Sequence, residues 1–150
     1  MKDFRKLKVW EKAHALTLQI YRETRRFPRE ELYGITSQMR RACASVAANL
    51  AEGCGREGEG GFHRFLNTAA GSAVEVEYFL LLARDLGLLG LDAYERLQQQ
   101  TLEIQRMLSG LIRTVASARR EAGKLPTKQS RKGIGSGFQA QSLGSVARSS

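Results

Sequence analysis

Apolar residues recur every three or four positions in four separate stretches of this chain, and only two prolines interrupt its 150 residues. That period puts one side chain per turn on a single face of an α-helix, whereas a strand would alternate with a period of two. A chain patterned this way has four apolar stripes to bury, and packing them against one another is the simplest way to do so.

The first stretch runs from about Lys6 to Arg25, with Val9, Ala13, Leu16 and Ile20 as its stripe and Trp10 and Thr17 widening it. Phe27-Pro28 stops it, because the residue before a proline is pushed out of helical angles. Pro28 to Glu31 reads as one short turn, and Tyr33-Gly34 breaks the pattern again. The second helix is expected from a cap at Thr36 or Ser37 to about Glu52, with Met39, Ala42, Cys43, Val46 and Leu50 facing inward and Gly53 ending it. Ala44, Ala47, Ala48 and Ala51 make its other side unusually small and apolar. Residues 53–61 read as a flexible glycine-rich loop.

A third helix is expected from Gly61 or Phe62 to Leu86, with a stripe of Phe62, Phe65, Leu66, Ala69, Ala73, Val76, Leu80 and Ala83. Gly87 ends it. Asp92 then caps a fourth, where Leu97, Thr101, Ile104, Leu108, Leu111 and Val115 keep the period to about Arg120. The expected fold is all-α, an antiparallel up-down-up-down four-helix bundle over residues 1–122. Residues 123–150 shift to Gly, Ser, Gln and Lys/Arg, and read as a disordered basic tail that cannot offset the entropy cost of ordering.

No stretch approaches the ~18 consecutive apolar residues of a membrane span. The charged start, Met1 to Lys6, is followed by no apolar leader core, so a cytoplasmic protein is expected. Cys43 and Cys54, flanking one helix, would stand roughly 16 Å apart at ~1.5 Å per residue. A disulfide needs Cα atoms within about 7 Å, so free thiols are expected.

Net charge is +9, and it is unevenly spread. Residues 1–29 carry nine Lys/Arg against three acids, residues 30–122 ten against twelve, and residues 123–150 five against none. Basic side chains draw phosphates by releasing their counterions. Lys6, Lys8, Lys12, Arg22, Arg25, Arg26 and Arg29 are therefore the candidate nucleic-acid contacts. Arg40-Arg41 opens an otherwise apolar helix, and either arginine pairing with Glu75 or Glu77 across the bundle is weighed against solvated side chains. The two glutamates lie ~200° apart around their helix, so they cannot share one partner.

Catalytic chemistry finds little support. Gly53-Cys54-Gly55-Arg56-Glu57-Gly58 has the glycine spacing of a dinucleotide fingerprint, but a helix and not a strand leads into it. Cys43 with His14, or Cys54 with His63, lack the surrounding acid or metal-ligand set that a nucleophile or metal site needs. No enzymatic activity, cofactor or metal is expected. The apolar surplus on the second helix and in Phe79 to Leu89 points instead to an interface, and hence a homo-oligomer.

In order and spacing these residues resemble the four-helix-bundle proteins encoded in intervening sequences of bacterial 23S ribosomal RNA genes. The matching pieces are Leu7-Lys8-Val9-Trp10; Phe27-Pro28 with Glu31 and Tyr33-Gly34; Ser37-Gln38-Met39-Arg40-Arg41-Ala42; and Asn49-Leu50-Ala51-Glu52-Gly53. Phe62, Arg64-Phe65-Leu66, Ala70-Gly71-Ser72, Glu75-Val76-Glu77 and Leu86-Gly87 complete the set, from about Phe4 to Arg119. The glycine-rich loop before Phe62 and the tail after Gly123 depart from the family's pattern. The resemblance implies an antiparallel four-helix bundle with no known catalytic activity. Related bundles, the accessory variability proteins of diversity-generating retroelements, form basic pentameric rings that bind nucleic acid and a reverse transcriptase. A pentamer and an RNA partner are what that relationship implies here. Arg40, Arg41, Asn49, Glu52, Glu75 and Glu77 are then expected in packing or subunit contacts. The expected role is a non-enzymatic, oligomeric accessory protein on nucleic acid, RNA or DNA with RNA favoured. The alternative is a scaffold for another protein with no nucleic-acid role.

Overall fold

The computed structural model describes residues 2–56 and 58–124. Four helices carry the fold: α1 (Lys8–Thr24), α2 (Ser37–Gly55), α3 (Glu59–Asp85) and α4 (Leu91–Lys124). Each packs beside its sequence neighbours, and α1 closes the ring against α4. This is the antiparallel up-down-up-down bundle that the four stripes predict. The disordered tail expected over 123–150 falls, beyond Lys124, outside the described residues.

The stripes are the core. Val9, Ala13, Leu16 and Ile20 of α1 meet Met39, Cys43, Val46 and Leu50 of α2, Leu66, Val76 and Leu80 of α3, and Leu97, Ile104 and Leu108 of α4, all buried. Burying a Leu, Ile, Val or Met side chain of this kind removes about 1.5–3 kcal/mol of apolar exposure. Packing at each helix pair therefore holds the bundle, with helix propensity a lesser contribution.

Several boundaries differ from the sequence reading. Asp3 accepts from the Arg5 N–H and caps a short 3-10 turn at Phe4–Lys6, after which Leu7 is extended, so α1 starts at Lys8 and not at Lys6. Thr36 does not cap α2 with its side chain. It has helical angles and ends a π-helical turn, Leu32–Thr36, that feeds into α2 around a kink at Gly34.

Gly53 does not end α2, which continues to Gly55. A Cβ at Gly53 would stand 2.9 Å from Phe65 Cβ and 3.2 Å from Phe62 Cδ2. The glycine is required because α2 and α3 approach closely there. The expected nine-residue loop shrinks to a short link between Gly55 and Glu59, with α3 starting two or three residues before the expected Gly61 or Phe62. Gly87, by contrast, has a φ of +72°, and it ends α3 as a left-handed glycine does. Asp92 lies in the first turn of α4 and not at its cap, since the helix opens at Leu91. Its other end reaches Lys124, beyond Arg120.

Much of the apolar surplus is absorbed inside the bundle. Phe79, Leu82 and Leu88 pack partly buried against the core, and Leu89 and Ala47 are buried. Ala48 on α2 stays exposed. On α3 a stripe remains outside, where Val74 is 56% and Tyr78 55% exposed.

Candidate nucleic-acid interface

The seven basic residues singled out in the sequence divide between the two ends of α1. At its start, Lys6 sits on the 3-10 turn, Lys8 pairs with Glu11 at 3.5 Å, and Lys12 reaches across to Glu103 of α4 at 3.0 Å. Two of these three cations are thus already matched to carboxylates. At its other end Arg22, Arg25, Arg26 and Arg29 are all exposed, and none forms an ion pair among the described residues. The helix turns its apolar stripe inward, which leaves Arg22 on its outer face, and Arg25 and Arg26 follow its last residue, Thr24. Pro28 then turns the chain and Arg29 follows in the next short turn. Four exposed guanidinium groups thus gather at one end of the bundle outside any ion pair among the described residues, with Glu30 and Glu31 in the same short turn as Arg29.

Of the six residues expected in packing or subunit contacts, Arg40 and Glu77 bond to other helices, whereas Arg41, Asn49 and Glu52 bond within α2 and its cap and Glu75 is exposed. Arg40 donates from Nε to the Thr24 hydroxyl at 2.9 Å, and its guanidinium lies 4.7 Å from the Tyr21 ring centroid. Arg41 donates to the side-chain oxygen of Gln38 at 3.2 Å. Glu77 accepts from Gln105 Nε2 of α4 at 2.7 Å, and Glu75 is exposed. No Arg–Glu pair joins α2 to α3 at these positions among the described residues. The Ser45 and Ser72 hydroxyls lie 2.8 Å apart, which brings Arg40 and Glu77 to the same height. Arg40 turns toward α1, however, and Glu77 turns toward α4. Asn49 donates to the Ser45 carbonyl at 2.8 Å and to its hydroxyl at 3.0 Å, within α2, and Glu52 pairs with Arg56, the cap of the same helix, at 2.7 Å.

Neither thiol is placed for chemistry. Cys43 and Cys54 are free and buried. Burial pushes the Cys43 thiol up to about 11, despite hydrogen bonding to Thr17. His14 stacks on Trp10 at 5.0 Å, and His63 neighbours Asn67 at 3.2 Å. No group of three His, Cys, Asp or Glu suited to a metal occurs among the described residues. Gly53 and Gly55 are helical, so the glycine-rich fingerprint makes no phosphate-cradling turn there; its Glu57 lies outside the described residues. Among the described residues no helix is long and apolar enough to cross a membrane.

One set of basic residues was hidden in the sequence. Arg106, Arg113 and Arg120 are exposed on α4, spaced by seven residues and unpaired among the described residues. Averaging charge over 30–122 cancels them against the twelve acids of that stretch, eight of which lie outside α4. The seven-residue interval was the signal that could have found them, since seven residues complete nearly two turns and return to the same face.

A family model described as 23S rRNA-intervening sequence protein matches residues 5–110. Among solved structures, a protein of unknown function from the S23 ribosomal protein family of Bacteroides thetaiotaomicron superimposes with a TM-score of 0.66. It is 24% identical, and the match covers 70% of this chain and 95% of that one. No curated protein matches.

Proposed function

Because the chain belongs to the 23S rRNA-intervening sequence protein family, we propose that it is a non-enzymatic, oligomeric accessory protein that binds nucleic acid, with RNA favoured, through its basic surface. The observation that carries this reading is the patch of Arg22, Arg25, Arg26 and Arg29, exposed together without a carboxylate partner among the described residues. Clustered like charges repel one another and do nothing for a bundle's own stability. Phosphate oxygens are the natural partner, each contact releasing a condensed counterion.

Self-assembly is the second part of the proposal. Val74 and Tyr78 lie one turn apart on the outer face of α3, and Ala48 is exposed on α2. Exposed apolar side chains of this kind suit contact with another copy. The same stripe supports the alternative, a scaffold for a different protein.

The test is binding of labelled structured RNA to the full chain at two salt concentrations, with light scattering alongside. The wild type should form a discrete oligomer that takes up RNA with steep salt dependence. Neutralising the four arginines as Arg22→Gln, Arg25→Gln, Arg26→Gln and Arg29→Gln should lower the salt slope by about 3–4. A salt-independent binding constant overturns the electrostatic reading, and a monomer at micromolar concentration overturns the assembly.

A further inference from the structure

We infer that the outer face of α4 is a second nucleic-acid site, a ridge in which Arg106, Ser109, Arg113, Ser117 and Arg120 alternate guanidinium with hydroxyl to bind the backbone of double-stranded RNA. The inference rests on the nucleic-acid reading above and goes further by assigning a different face and a specific partner.

The ridge is a product of helix geometry. At ~1.5 Å per residue its three arginines are about 10.5 Å apart and span about 21 Å. Each seven-residue step drifts only ~20° around the axis, so they stay in line. Ser109 and Ser117 fill the intervals, and all five residues are exposed. Arg113 lines two adjoining shallow grooves along this face, one shared with Arg106 and Ser109 and the other with Ser117. Arg120 donates to the Ser117 hydroxyl at 3.4 Å, the one side-chain hydrogen bond that any of the three guanidiniums makes among the described residues.

Charge on this part of the chain is lopsided. The acids flanking the ridge are Glu103, held by Lys12 at 3.0 Å, and Glu121. From residue 104 to 124 there are five basic residues against Glu121 alone, and residues 125–150 add Lys128, Arg131, Lys132 and Arg148 with no acid. The charge complements a polyanion.

The residue types select the kind of polyanion. Single strands are held by stacking their bases on aromatic rings. The ridge has none: the sole aromatic residue of α4, Tyr94, lies away from it under the Arg84 guanidinium, 4.6 Å off. A B-form duplex offers phosphates to the arginines too, but it has no 2′-hydroxyls for Ser109 and Ser117 to meet. An A-form RNA duplex offers a wide, shallow minor groove edged with phosphates and 2′-hydroxyls. Guanidiniums alternating with hydroxyls fit that edge without entering it, and such binding is independent of base sequence.

The test uses the full chain and three probes: an RNA duplex of about 20 base pairs, long enough for a footprint of ~16, the DNA duplex of the same sequence, and one RNA strand alone. Anisotropy is measured at two salt concentrations. Three variants are compared with wild type: Arg106→Gln/Arg113→Gln/Arg120→Gln, Ser109→Ala/Ser117→Ala, and the four-arginine variant of α1. Glutamine is a good helix former, and circular dichroism checks that the bundle remains. The expected result is preference for the RNA duplex. The α4 triple variant should bind it about tenfold or more weakly, with a salt slope lower by about 3, and the serine variant should lose the preference over DNA. Wild-type affinity in the triple variant, or equal binding of duplex and single strand by the wild type, overturns the ridge while the nucleic-acid reading stands on the α1 variant. Failure of the wild type to bind any probe overturns both.

Discussion

The Thr24 hydroxyl joins two helices through Arg40: it donates to the Ile20 carbonyl at 2.7 Å and accepts from Arg40 Nε at 2.9 Å. Thr24 is buried at the end of α1, and Arg40 stands in the first turns of α2. The contact therefore fixes how the chain re-enters the bundle after Pro28. Arg40→Ala should destabilise the fold by about 1.5–3 kcal/mol, the range for a hydrogen bond involving a charged group. A double-mutant cycle with Thr24→Val, followed by urea denaturation, should show a coupling of at least about 0.5 kcal/mol. Additive effects would mean that the two side chains act independently.

Two nearby glycines of α2 should respond oppositely to alanine. Gly53→Ala places a methyl 2.9 Å from Phe65 Cβ, and overpacking of that kind costs about 1–3 kcal/mol, more than the ~1 kcal/mol gained in helix propensity. Gly55 has nothing within 4 Å of the added methyl. Gly55→Ala should be neutral or raise the melting temperature, whereas Gly53→Ala should lower it.

Cys43 gives the fold an alkaline limit. Its thiol titrates near 11 in the folded protein, against an ordinary value of 9.0, with burial the main cause. Between these values the unfolded chain releases a proton that the folded one keeps, so stability falls as pH rises, by about 1.4 kcal/mol per pH unit. Below about 9 the group contributes no slope. Chemical denaturation across this range should show a steeper decline for wild type than for Cys43→Ala; identical slopes would place the titration elsewhere.

Val74 and Tyr78 are exposed, so changing them tests assembly without disturbing the core. Val74→Glu with Tyr78→Glu should shift light scattering toward the monomer while leaving helix content unchanged. An unaltered oligomer would move the interface to another face.

Helix number, order and inward faces were all legible in the sequence, because a buried stripe needs only periodicity to be seen. Gly53 was not. A glycine that ends a helix and a glycine that lets two helices touch look alike in one dimension, and only Phe62 and Phe65 across the seam tell them apart. The arginines at the end of α1 were visible because they are close together in the chain. Those of α4 were not, because seven-residue gaps dilute a charge run that folding then aligns. For Arg40 the sequence leaves a pairing with Glu75 or Glu77 and a solvated side chain equally open, and the rotation of α2 points it at Thr24 instead.

The polar seam between α1 and α4 has a kinetic meaning. The other helix neighbours are joined by short connections, and their contacts form with little loop entropy. Arg96 meets Gln19 across 77 residues of sequence, at 2.7 Å, and Lys12 meets Glu103 beside it. Loop closure makes that seam the slowest of the four to form. It is also held at its edge by exposed polar contacts, which are individually weak. Hydrogen exchange should therefore find α1 parting from α4 before α2, α3 and α4 come apart, so that the fold opens along the line where its two ends were brought together.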